Sequence, residues 1–313
     1  MATSISSQHR PSVICSLPPA RHTSGGAGAV PVGGGHADVA AHLGREIRLL
    51  AGHGIGAVLE TPPPGLVSVP TDELAAADRS AVTTLLDVRA RHHADTSIEI
   101  HATVYPDRAR PLIDDDGVDN EVLWRRRLRN QVDAGAEFVA GRRVRSVASA
   151  TAVAVAAREA GAACVIWFSP GEDGRLADDT TPAEAIVAVD EATGCTVRWY
   201  GLEDIATMVL PARTGDDPTT SWVGRIGGVR THARPDGADH RQVGDRLLLA
   251  AAALGHARTF GCTGEGCPDE VQALAERLAA LRPLALRTAP VTPAATDGPP
   301  ASVARLAERA LAG

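Results

Sequence analysis

The sequence predicts a (β/α)₈ barrel. Three observations carry that expectation: eight short β-branched runs, an Ala-rich helical pattern after each, and a length of 313 residues that suits one large barrel. An open, doubly wound sheet would show G-x-G-x-x-G between a strand and a helix, and Gly33-Gly-Gly35 is too weak a signal for that turn.

Residues 1–27 are rich in Ser, Pro and Gly without periodicity, and are expected to form a flexible tail before a barrel domain of residues 28–282. The first strand is expected at Ala29–Val32, followed by a helix at His36–Ala51. Strand two, Gly56–Glu60, leads through Pro62-Pro-Pro64 to a helix at Asp72–His92, whose terminal imidazoles complement the helix dipole. Strand three, Ser97–Val104, precedes the acidic run Asp114-Asp-Asp116, read as a solvated loop and cap, and a helix at Asn120–Ala134. Strands four and five are Glu137–Ala140 and Cys164–Phe168, with helices at Val147–Ala160 and Pro182–Ala192. Pro182 suits a first helical turn, where a missing amide donor costs nothing, and Gly161 and Gly194 suit positions just past a helix end. Strand six, Thr196–Tyr200, is followed by a short helix at Glu203–Ala206. Strand seven is expected at Thr207–Leu210 and its helix at Val243–Gly255, with the Gly- and Asp-rich stretch Thr214–Gln242 between them as a lid or interface loop. Strand eight, Arg258–Gly261, precedes a helix at Pro268–Leu281. Residues 283–313 form a Pro-rich linker and an amphipathic helix, Ala301–Ala312.

Composition narrows the function. Hydrophobic content of 44% supports a large core built mainly on Ala and Val. A net charge of −7 argues against a nucleic-acid partner, and no apolar run approaches the roughly 20 residues that span a bilayer. All 31 basic residues are arginine. The five cysteines at 15, 164, 195, 262 and 267 are odd in number, which fits a reducing, cytoplasmic setting. Cys164 and Cys195 fall at strand starts and read as packing residues, and Cys15 falls in the tail.

Several segments, in order, carry a family resemblance. Ser169-Pro-Gly-Glu-Asp-Gly-Arg-Leu-Ala-Asp-Asp-Thr-Thr-Pro-Ala-Glu-Ala-Ile186 resembles the segment after strand five of the homocysteine S-methyltransferases. Asp133-Ala-Gly-Ala-Glu-Phe138 is similar to their entry to strand four. Pro211 and Gly215 fit the turn after strand seven, and Gly261-Cys262 with Pro268-Asp-Glu-Val271 resembles the terminal G-G-C-C-R-T-T-P-x-x-I. The resemblance covers roughly 30–281 and implies a (β/α)₈ barrel in which three cysteines hold zinc and activate a thiol, because the thiolate is the nucleophile. Aligning Leu202-Glu-Asp-Ile205 with the family's P-E-D-I/V places Trp199 at the strand-six cysteine, and indole cannot ligate zinc. The adjacent cysteine pair becomes Cys262 and Cys267, and the amine-binding acid after strand four is replaced by Gly141-Arg142-Arg143.

Candidate substrate-binding residues are Glu60 and Thr61 beside a rigid Pro edge, Arg142, Trp199 and Arg213. Trp199 either stacks on a ligand or plugs the space of a lost metal. The arginines, Arg143, Arg145 and Arg198 among them, either converge on an anion at the barrel mouth or form surface ion pairs. Cys262 and Cys267 are candidate zinc ligands needing further donors such as His256, Glu265 or Asp269; a redox pair and free thiols are the other readings. The expectation is a divergent thiol S-methyltransferase-like protein whose usual zinc-thiolate transfer is disfavoured by these departures. The alternative is a non-catalytic homologue that binds an anionic small molecule or partners an active methyltransferase subunit, as a homo- or hetero-oligomer.

Overall fold

Eight parallel strands hydrogen-bond in sequence order and close on themselves. The computed structural model describes residues 11–16, 36–61, 71–107, 120–203, 222–232, 258–263 and 271–279. The strands are β1 (Ser12–Ser16), β2 (Gly56–Glu60), β3 (Ile98–Val104), β4 (Phe138–Val144), β5 (Ala163–Phe168), β6 (Val197–Leu202), β7 (Ile226–His232) and β8 (Thr259–Thr263). The helices are α1 (His36–Gly52), α2 (Thr71–His92), α3 (Asn120–Asp133), α4 (Val147–Glu159), α5 (Pro182–Thr193) and α6 over 271–279. The expected (β/α)₈ barrel is the observed fold. No helix among the described residues is long and apolar enough to cross a membrane.

Alternation along each strand builds two cores. Outward-facing residues such as Cys15, Leu59, Ile100, Val139, Ile166 and Val229 join helix residues including Leu43, Ile47 and Leu85 in one large cluster. Inward-facing Ile14, Val58, Phe138, Ala140, Val165 and Trp167 form a second, inside the barrel, with Trp199 packed against it.

Two strands differ from the sequence expectation. The first barrel strand is Ser12–Ser16, within the segment read as a tail; it pairs with β2 on one side and β8 on the other. Flanking Ser and Pro disguised a run whose Val13, Ile14 and Cys15 are all buried. Residues Ala29–Val32 lie outside the described residues. Strand seven is Ile226–His232, inside the stretch read as a lid, and Thr207–Leu210 lies outside the described residues. Its Gly227-Gly228 pair looks like loop sequence but serves packing. A Cβ at Gly228 would stand 2.6 Å from Cη2 of Trp167, and one at Gly227 2.7 Å from Cγ of Trp199. The two tryptophans fill this part of the barrel interior because β7 places no side chain at Gly227 and Gly228. The helices expected at Val243–Gly255 and Ala301–Ala312, and residues 204–206 of the short helix expected after strand six, lie outside the described residues.

Local signals behave as the chemistry requires. Thr181 and Glu184 form a reciprocal capping box at α5 with Pro182 in the first turn, and Gly194 ends the helix at φ 66°. Cys195 follows it at φ 58° and is exposed, so it is not the buried packing residue expected. Cys164 is buried.

Behind β1 sits a buried polar cluster. Glu46 on α1 is 4% exposed and lies 3.2 Å from Nε2 of His42, a contact too poorly aligned for a hydrogen bond. Burial pushes its carboxyl up to about 7, against smaller downward effects from Cys15 and Arg45.

Candidate functional site

Four charged side chains from four strands meet at the C-terminal end of the barrel, the end where barrels of this kind carry their sites. Glu60 is the last residue of β2, Arg142 lies near the end of β4, Glu203 directly follows β6 and Arg230 lies on β7. All four are at most 4% exposed. Arg142 Nη1 donates to Glu60 Oε2 at 2.6 Å, and its Nε donates to Glu203 Oε1. Arg230 Nη1 lies 2.8 Å from both Glu60 oxygens. The order is therefore Glu203–Arg142–Glu60–Arg230, alternating in sign and neutral in sum.

Electrostatics follow from that order. Burial raises the Glu60 carboxyl, but Arg142 and then Arg230 outweigh it and hold it down at about 2. Burial lowers the Arg142 guanidinium, and Glu203 and Glu60 together drive it above its ordinary value. Burial also raises the phenol of Tyr105, just past β3, which senses all four charges.

Trp167 is the floor of this group. Its ring lies 5.8 Å from Cζ of Arg142 and 5.4 Å from Cζ of Arg230, within cation–π range of both. Among the described residues, Trp167 Nε1, Thr103 Oγ1 and His101 Nδ1 are buried without a hydrogen-bond partner. Groups of this kind in a barrel interior call for water or a ligand atom.

The structure distributes the sequence candidates unevenly. Glu60 and Arg142 belong to the quartet. Thr61 is buried beside it, but its hydroxyl donates to Gln131 at 2.9 Å and accepts from the Thr103 amide at 2.8 Å. Gln131 in turn holds Asp78, which also pairs with Arg127, so Thr61 ties β2 to α2 and α3. Trp199 is the third residue of β6, half-buried, and meets Trp167 edge-on with centroids 5.2 Å apart. Arg198, expected at the end of strand six, is its second residue and lies over Phe138 at 4.9 Å, because β6 runs on to Leu202. Arg143 and Arg145 are exposed. Cys262 is a β8 residue paired with Thr231; its side chain, Arg213 and Cys267 lie outside the described residues. No group of three His, Cys, Asp or Glu is placed to hold a metal among the described residues.

Sequence reasoning missed Glu203, Arg230 and Trp167. Glu203 had a signal, the Leu202-Glu-Asp-Ile205 match, but was read as a helix start. Arg230 had none, because its strand was read as a loop.

No protein-family model matches the sequence, and no curated protein matches it. Solved structures do. The homocysteine methyltransferase MmuM from Escherichia coli, in its apo form, is 17% identical over 87% of this chain and 97% of its own, with a TM-score of 0.56. Its metallated form gives 16% identity, the same coverage and the same TM-score. The likeness is one of fold, a TIM barrel.

Proposed function

We propose that this chain is a methyltransferase-like barrel that binds a small charged molecule at the C-terminal end of the barrel, with Glu60, Arg142, Glu203 and Arg230 as the floor of the site. The quartet carries this reading. Replacing a buried ion-pair set with packed apolar residues is often neutral or stabilising by about 1–4 kcal/mol, so the fold alone gives no reason to keep four charges there. Buried, charge-coupled groups at the functional end of a barrel are the pattern expected of a ligand site. Trp199 supports a site without the usual zinc-thiolate chemistry, since it packs on Trp167 and Gly227 inside the barrel.

The test is a thermal-shift screen of the full chain with carboxylates, phosphates and amino acids. A ligand at a hundred times its Kd adds about 2.7 kcal/mol, which is several degrees for a domain of this size. One chemical class should raise the Tm, and the rise should vanish in Arg230→Met. A flat screen across all classes would sink the proposal.

A second reading, thiol S-methyl transfer, has one observation behind it. Cys262 lies one residue from the end of β8, on the same barrel end as the quartet. Near-stoichiometric zinc in protein purified without a metal-affinity tag, lost in both Cys262→Ser and Cys267→Ser, would favour it.

A further inference from the structure

The cation that sequence reasoning selects for anion capture is Arg142, yet its charge is matched by Glu203 and Glu60, and that of Arg230 by Glu60. Two carboxylates and two guanidiniums leave the quartet without net charge. An exposed cation, Arg143, stands next to Arg142 in the chain.

β4 pairs regularly with β5 through Gly141, opposite Ile166, and pairs again at Val144, opposite Phe168. Two residues, Arg142 and Arg143, therefore face the single residue Trp167 across the ladder, which is a β-bulge. Arg142 follows Phe138 and Ala140 inward by ordinary alternation, and the extra residue after it turns Val144 to the outer core. Arg143 is the extra residue. It takes φ 52°, a left-handed conformation uncommon for a residue with a side chain, and it is exposed. Its amide, released from the ladder, donates to Glu203 Oε2 at 3.2 Å, while the other Glu203 oxygen takes Arg142 Nε. Glu203 thus holds both bulge residues. Strain of this kind persists where surrounding structure enforces it, and it concentrates at ligand sites. Among the described residues the Arg143 guanidinium has no ion pair or hydrogen bond. Beside the bulge, Trp167 Nε1 is fully buried and unpartnered.

Resting on the small-molecule reading above, we propose that Arg143 is the specificity-determining residue of this site, capturing an oxyanion of the ligand, carboxylate or phosphate, at the rim of the barrel. A guanidinium matches either group with two parallel hydrogen bonds. The buried quartet then orients the ligand's remaining polar atoms, and the bulge sets where the captured anion sits.

Inorganic phosphate and acetate, added separately to the full chain at matched ionic strength with chloride as control, test this by thermal shift and by ³¹P or ¹³C line broadening. One of the two anions should bind wild type, and which one does separates a phosphorylated from a carboxylated ligand. Arg143→Ala should weaken that binding at least tenfold. Arg143→Gly should do the same while raising the Tm, because glycine accepts the left-handed backbone without strain. Undiminished anion binding in both variants would overturn the role of Arg143 and leave the barrel-end site standing. Binding of neither anion to wild type would also overturn it, even where another compound of the screen stabilises the protein. A flat result for every compound would remove the site as well.

Discussion

Arg142→Met removes the central cation of the quartet and leaves Glu203 with only the Arg143 amide, while Glu60 keeps Arg230. Removing one partner of a buried pair typically costs about 3–5 kcal/mol, because an uncompensated charge stays in a low-dielectric interior. At 4% exposure for Arg142 and none for Glu203, no solvent screening softens that cost. Urea unfolding at pH 7 should therefore show a midpoint loss of that size with an unchanged slope. The pH dependence separates charge from packing. In wild type the Glu60 carboxyl is held at about 2, below its ordinary value, so its contribution is complete above about pH 4.5 and is lost as pH falls through 2. That difference corresponds to roughly 3 kcal/mol. In Arg142→Met the larger of the two cationic influences on Glu60 is gone, so the acid loss of stability should begin at a higher pH than in wild type. Adding Glu203→Gln should restore at least half of the loss at pH 7. A loss below about 1 kcal/mol, or one that is unaffected by Glu203→Gln with an acid transition unmoved from wild type, would refute the charge-compensation argument.

Glu46 predicts the opposite slope. Its folded-state value of about 7 lies above the ordinary carboxylate value, so protons favour the folded state and stability declines as pH rises from about 4.5 through 7. Glu46→Gln should flatten that decline and exceed wild type by about 2–3 kcal/mol at pH 8 in urea unfolding. Gly228→Ala places a Cβ 2.6 Å from Cη2 of Trp167 and 3.1 Å from the Thr259 carbonyl, which overpacking makes costly by about 1–3 kcal/mol; a Tm loss of several degrees with altered tryptophan fluorescence is expected. Thr181→Ala breaks the α5 capping box and should cost about 1 kcal/mol by thermal or urea unfolding.

The fold was legible wherever a strand shows its burial in its own residues. β2 reads Gly-Ala-Val-Leu-Glu and is buried throughout, and β5 reads Ala-Cys-Val-Ile-Trp-Phe with five of six residues buried. Helix α5 announced both ends, through Thr181-Pro182 and Gly194. β1 was hidden by neighbours rather than by itself, since a five-residue strand between Ser and Pro contributes little to any window. β7 was hidden by its glycines, which in isolation signal a turn. Their purpose is visible only once Trp167 on β5 and Trp199 on β6 lie against them. A glycine in a barrel strand is read correctly only with knowledge of the large residue on the neighbouring strand.

The site was legible as residue types and not as pairings, and pairing decides its chemistry. Glu60 and Arg142 stood out at strand ends, but Arg230 is 170 residues from Glu60 in sequence and bonds it at 2.8 Å. Nothing local in either segment announces that contact. The consequence reaches function. Read as a list, Arg142, Arg143 and Arg145 make the barrel end positive. Once Glu60 and Glu203 are placed, the buried charges cancel, and of the two exposed arginines that remain Arg143 is the one on the strained bulge, next to the quartet. Coulomb attraction over several ångströms depends on net charge, whereas bidentate capture depends on a guanidinium with donors to spare. Both conditions point away from the buried arginine and toward its neighbour. The one-residue bulge in β4 that separates the two is therefore the feature on which ligand recognition turns, and the Arg143 variants test it more sharply than any substitution in the quartet.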